Sequence, residues 1–206
     1  MKRLALIAVC VAASACSKPE AQPSPAVNAA PASAASSSAS GRINGSVHAT
    51  GTAVVVLEPK TARAFPVQTE KPVMDQAGLT FGPELLLVRT GYPVEFRNSD
   101  DTLHNVRVSH EETRASAFNV AIPTGESFTY TFERDGFYRV GCDIHPAMAA
   151  SVFAAESPFM TLGSSDGSFS FADVPAGAWT VTVYTGGKRL RKDVEITGGV
   201  TTVTIE

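Results

Sequence analysis

Tyr138-Arg139-Val140-Gly141-Cys142-Asp143-Ile144-His145-Pro146-Ala147-Met148 joins a strand pattern to a cluster of soft metal donors. Tyr138, Val140 and Cys142 alternate with Arg139 and Gly141, so their side chains share one face of an extended segment. That face is apolar, which predicts an inward-facing strand whose last residue is a thiol shielded from water. The loop beyond it adds an imidazole at His145 and a thioether at Met148. Upstream, His104, Val106 and Val108 form a second alternating run, which brings another imidazole to the inner end of a neighbouring strand. Sulfur donors combined with imidazole favour copper, and two His, one Cys and a weak axial Met make up a blue-copper donor set.

The same period of two recurs along most of the chain. Val94 and Phe96 alternate with Glu95 and Arg97, and Phe128, Tyr130 and Phe132 alternate with Ser127, Thr129, Thr131 and Glu133. Trp179, Val181 and Val183 repeat the pattern, as do Val194 with Ile196 and Val203 with Ile205. Asp166-Gly167, Pro175-Ala176-Gly177 and Gly198-Gly199 punctuate these runs as turns. No segment carries a convincing helical period, so the fold is predicted to be all-β. Ala147 to Ala155 is helix-like in composition, but Val152 and Phe153 ahead of Pro158 suit a strand better.

The three cysteines divide by position. Cys10 lies in the apolar run Leu4 to Ala12, which follows Lys2 and Arg3 and ends in Ala13-Ser14-Ala15; residues 1–15 read as an export signal. Ala13-Ser14-Ala15-Cys16 resembles the lipobox of bacterial lipoproteins, which implies a lipid on Cys16 and a membrane as a partner; simple secretion is the alternative. Either route places the protein outside the cytoplasm, in the periplasm or on the cell envelope. Only Cys142 is then left in the folded part. A lone cysteine in an exported protein is a free thiol or a ligand, because oxidising compartments pair the others.

Residues 16–40 are almost wholly Ala, Ser and Pro, a composition that cannot bury enough surface to fold and would act as a tether. Removing Lys2 and Arg3 from 17 basic residues leaves 15 against 20 acidic ones, a net charge of −5. That balance lacks the electrostatic footprint of nucleic-acid binding. The basic run Lys188-Arg189-Leu190-Arg191-Lys192 is more simply a solvated hairpin.

Three stretches taken together are similar to a cupredoxin. They are Val94-Glu95-Phe96-Arg97-Asn98-Ser99-Asp100-Asp101-Thr102-Leu103-His104-Asn105-Val106, then Asp135-Gly136-Phe137-Tyr138, then Cys142, His145 and Met148 at their x2 spacing. The resemblance covers residues 67–156 and is of the plastocyanin and amicyanin kind. It implies a Greek-key β-sandwich holding one type 1 copper, with His104, Cys142 and His145 in the equatorial plane and Met148 axial. Asn105 is implied to fasten the His104 segment to the Cys142 loop through hydrogen bonds. His48 and His110 have no companions at ligand spacing, and Met74 has little to recommend it as a further copper contact.

The two ends carry a second resemblance. Gly41 to Val47 with Ala53 to Glu58, and much later Ser165 to Val183, are similar to a carboxypeptidase regulatory-like (transthyretin-like) β-sandwich. This implies that residues 41–66 and 157–206 form one small module, with the cupredoxin inserted in it or adjacent to it. Contacts between Val54 to Leu57 and the strands holding Phe169, Val181 or Val194 are expected on that basis.

The cupredoxin resemblance implies a monomeric carrier of single electrons, exchanging them with a redox protein that docks near His145. A copper-storing or structural lipoprotein is the alternative. An enzyme such as a multicopper oxidase needs more histidines than this chain's four, two of which are already assigned.

Overall fold

The structure is a computed structural model that describes residues 39–48 and 51–206. The export signal, Cys16 and nearly all of the tether expected at 16–40 lie outside the described residues.

Every regular element among the described residues is a strand. Two come first, β1 (Ser40–Val47) and β2 (Ala53–Pro59). Nine follow: β3 (Val73–Ala77), β4 (Thr80–Gly82), β5 (Leu85–Arg89), β6 (Pro93–Asn98), β7 (His104–His110), β8 (Ser116–Ile122), β9 (Ser127–Thr131), β10 (Gly136–Gly141) and β11 (Ala149–Ala155). The chain closes with β12 (Met160–Leu162), β13 (Ser168–Pro175), β14 (Gly177–Thr185), β15 (Lys188–Ile196) and β16 (Val200–Ile205).

These strands form four sheets, ordered β13-β1-β16, β12-β2-β14-β15, β5-β11-β10-β7-β8 and β4-β3-β6-β9. The sheets stack in that sequence, because three apolar cores each join two neighbours. Ile43, Phe169, Phe171 and Val203 meet Val55, Leu57, Trp179 and Val181 between the first and second sheets. Val54, Val56 and Tyr184 meet Phe153, Ala155, Leu87 and Phe137 between the second and third. Val106, Val140 and Val152 meet Met74, Val94 and Phe96 between the third and fourth.

Where the inner sheets are covered on both faces, at β2 and β11, the sequences record it. Ala53-Val54-Val55-Val56-Leu57 is buried throughout: odd positions enter one core and even positions the next. In β11, Val152 and Ala154 face the core between the third and fourth sheets, while Phe153 and Ala155 face the other way. Continuous apolar runs are what strands need when neither face meets water.

The ends of the chain meet in the first two sheets. β2 runs antiparallel to β14, with Val55 opposite Val183 and Leu57 opposite Val181. β1 lies between β13, antiparallel, and β16, parallel. Gly45 in β1 has no alternative there: a Cβ would sit 2.0 Å from the Phe169 ring that covers it.

Two features escape sequence inspection. β12 pairs with β2, Met160 opposite Val56, as a strand inside the 157–206 segment that three residues are too few to announce by alternation. The β14–β15 hairpin turns at Gly186-Gly187, both with positive φ, as a two-residue hairpin loop of the I′ kind requires.

Candidate metal centre

His104 is the first residue of β7, and Cys142 follows the last residue of β10. These strands are antiparallel neighbours, with Val140 opposite Val108 and Gly141 opposite Arg107. That register carries Cys142 to the end of the sheet where His104 enters. The loop to β11 then folds back on itself: the Met148 N–H donates to the His145 carbonyl at 2.9 Å, and the Cys142 N–H donates to the Met148 carbonyl at 3.3 Å.

Three donor atoms converge as a result. Cys142 Sγ lies 3.9 Å from His104 Nδ1 and 3.9 Å from His145 Nδ1, and the two nitrogens are 3.0 Å apart. Atoms so spaced leave a point about 2.1 Å from all three, the distance at which imidazole nitrogen binds a first-row metal such as zinc. No other group of three His, Cys, Asp or Glu residues at metal-binding spacing occurs among the described residues. His104, Cys142 and Met148 are buried, while His145 is partly exposed and gives the group its one contact with solvent.

The far nitrogen of His104 is held as firmly as the near one. Nε2 lies 2.9 Å from Asp100 Oδ2. Asp100 also accepts the backbone N–H groups of Gly78 at 2.8 Å and Leu79 at 2.9 Å. The Leu79 and Gly78 amides, with His104 behind them, hold the Asp100 carboxyl below its usual range. An ionised carboxylate only accepts, so this contact is a hydrogen bond when the ring proton is on Nε2. The loop carrying Asp100 is fixed by Asn98, whose amide donates to Thr102 O and Ile122 O, both at 2.8 Å, and accepts from the Asp100 N–H at 3.0 Å.

Asn105 joins the two ligand-bearing segments. Its Oδ1 accepts the N–H groups of Asp143 at 2.7 Å and Ile144 at 3.2 Å, and lies 3.3 Å from Cys142 Sγ. Its Nδ2 donates to Asn119 Oδ1 at 2.8 Å and to Asp143 Oδ2 at 3.1 Å. Asp143 is held in turn by Arg107 Nε at 2.7 Å and Asn119 Nδ2 at 2.9 Å, contacts that keep its carboxyl below the usual range. The sulfur accepts the His145 N–H at 3.4 Å.

The remaining candidates lie elsewhere. His48 is exposed. His110 is buried, with its Nδ1 accepting the Thr113 N–H and its Nε2 3.2 Å from the Asp135 carbonyl, and so is a satisfied core residue. Met74 is packed in the sandwich core. Three large apolar side chains next to site residues are exposed: Leu103, beside His104, is 48% exposed, Ile144, beside His145, 47%, and Leu79, whose amide binds Asp100, 52%.

Sequence reasoning did not single out Asp100, Asn98, Asp143, Arg107 or Asn119. Asp100 had one available signal, a carboxylate four residues before a ligand-type histidine. That spacing fixes a contact on a helix but not in a loop between strands.

Residues 68–154 match the family of copper binding proteins described as the plastocyanin/azurin family. Among solved structures, a reduced amicyanin variant is similar at 25% identity, with 43% of this chain and 85% of that chain covered and a TM-score of 0.38. A purple cupredoxin from Nitrosopumilus maritimus is similar at 22% identity over 41% of this chain and 99% of its own, with a TM-score of 0.37. No match was found among curated proteins. The matched family implies copper as the cofactor, and the group of His104, Cys142 and His145 is consistent with a type 1 site.

Proposed function

We propose that this protein is a type 1 copper electron carrier working outside the cytoplasm, in which His104, Cys142, His145 and Met148 would hold the ion. The convergence of three soft and borderline donors on one buried point, with a single partly exposed ligand, carries this reading. Bound copper supplies a one-electron Cu(II)/Cu(I) couple. The chain's own residues do the rest: Asp100 and Asn105 fix the ligand geometry before metal arrives, and the sandwich core excludes water from the thiolate. A scaffold that barely moves between oxidation states suits fast exchange, and strand ends tied by these hydrogen bonds supply one.

The partly exposed His145, flanked in the chain by Ile144, Pro146 and Ala147, is the exchange point. Its apolar rim suits brief docking of a redox protein through a small interface. A carrier is favoured over a multicopper enzyme because His48 is exposed and His110 already has its hydrogen-bond partners. The lipobox-like Ala13-Ser14-Ala15-Cys16 supports anchoring through a lipid on Cys16, with simple secretion as the alternative. The first two sheets, built from residues 41–66 and 157–206, are proposed to be a carboxypeptidase regulatory-like module that covers one face of the copper domain. The monomer is the working unit.

Loading the protein with copper and recording its visible spectrum tests the reading. An intense thiolate-to-copper band, lost in Cys142→Ser, is expected. A colourless Cu(I) complex that resists oxidation would replace the carrier with a storage protein, and a band that survives Cys142→Ser would remove Cys142 from the site.

A further inference from the structure

We propose that Asp100 is a positioning residue that sets the tautomer of His104 and lowers the reduction potential of the centre, with the β3–β4 turn as its anchor; this rests on the copper reading above. One carboxylate gathers three donors. Gly78 N–H and Leu79 N–H reach it from the turn between β3 and β4, and His104 Nε2 reaches it from the start of β7. The side chain of His104 is fully buried and that of Asp100 is 15% exposed. The brace therefore ties a ligand of the third sheet to a turn of the fourth, across the sandwich that contains the site.

Two consequences follow from charge and geometry. A buried ring whose Nε2 proton is held by a carboxylate presents Nδ1 as a lone pair, so His104 is already in the binding tautomer before metal arrives, and can accept from His145 Nδ1 at 3.0 Å. A fixed negative charge one imidazole away from the metal favours the oxidised ion, which carries one more positive charge than the reduced ion. Carboxylates and carbonyls in this outer position typically change metal affinity by about 10- to 100-fold. Taking the lower figure as the difference between the two oxidation states, removing the charge raises the Cu(I)/Cu(II) ratio at fixed ambient potential about tenfold, or about 59 mV for a one-electron couple.

The test compares wild type, Asp100→Asn and Asp100→Ala in two measurements. In nitrogen-15 spectra of the metal-free protein, His104 of the wild type should show a protonated Nε2 and a bare Nδ1, with a slowly exchanging ring proton; Asp100→Ala should lose that bias. In redox titration of the copper-loaded proteins, both variants should show a raised potential while keeping the thiolate charge-transfer band. A wild-type His104 protonated on Nδ1 overturns the proposal without any variant being needed. Unchanged potentials in variants that remain blue overturn it as well, and leave the copper reading intact. Failure of the wild type to give the band at all would instead overturn that reading.

Discussion

Phe153→Ala would probe the seam between the sandwich that carries His104 and Cys142 and the rest of the chain. Phe153 is 1% exposed and points from β11 into the core shared with β2 and β14, not into the one that contains Cys142 and Met148. Its ring lies 4.8 Å from that of Phe137 and 4.9 Å from that of Tyr184, at 63° and 59°. Val54 and Val56 close the same core from the facing sheet, and strands hydrogen-bonded on both sides cannot collapse into the space a deleted ring leaves. The cost therefore falls in the usual range for Phe→Ala in a core, about 3–5 kcal/mol. At 2–4 °C per kcal/mol for a domain of this size, the melting temperature should drop by roughly 6–20 °C. Urea unfolding of the metal-free protein, followed by circular dichroism and by Trp179 fluorescence, should show a single transition that moves as a whole. Variants that remain folded should keep the copper spectrum, since Val152 and Ala154 face the site and Phe153 does not. A loss below about 1 kcal/mol, or two separate transitions of which one is unmoved, would refute the shared core.

Other changes address the site and the surface. Asn105→Ala leaves the Asp143 and Ile144 amides without their acceptor, so copper affinity measured by chelator competition should fall about 10- to 100-fold; unchanged affinity would mean the loop holds itself. Met148→Gln should keep copper and lower the reduction potential, because a harder oxygen donor favours Cu(II); an unchanged potential would remove Met148 from the ligand set. Lys60 and Thr180 hold Asp193 below the ordinary value of 3.8, so its contribution to stability is present above that pH and lost as pH falls through the lower folded value. The stability gap between wild type and Asp193→Asn should thus close on acidification below about pH 4, and a gap that widens would contradict the sign.

How much the sequence disclosed depended on how local each signal was. Alternation over Tyr138, Val140 and Cys142 and over His104, Val106 and Val108 is a property of single strands, and all six residues are buried. The all-β class follows from many such runs. What could not be read is what depends on two distant segments at once. Nothing near Asp100 announces the Gly78 and Leu79 amides, because their meeting is made by the turn between β3 and β4. Asn119 joins Asn105 only through the β7–β8 register, in which Asn105 faces Ala121 and Arg107 faces Asn119. The four-layer stack left a trace in Ala53 to Leu57, whose unbroken burial marks a strand with no wet face, but that trace alone does not say which sheet covers each side.

The central claim is that one copper ion sits among His104, Cys142 and His145. X-ray absorption at the copper edge of the loaded protein tests it most directly. One short sulfur and two imidazole nitrogens are predicted, with the sulfur lost in Cys142→Ser. A first shell of nitrogen and oxygen alone in the wild type would contradict the account.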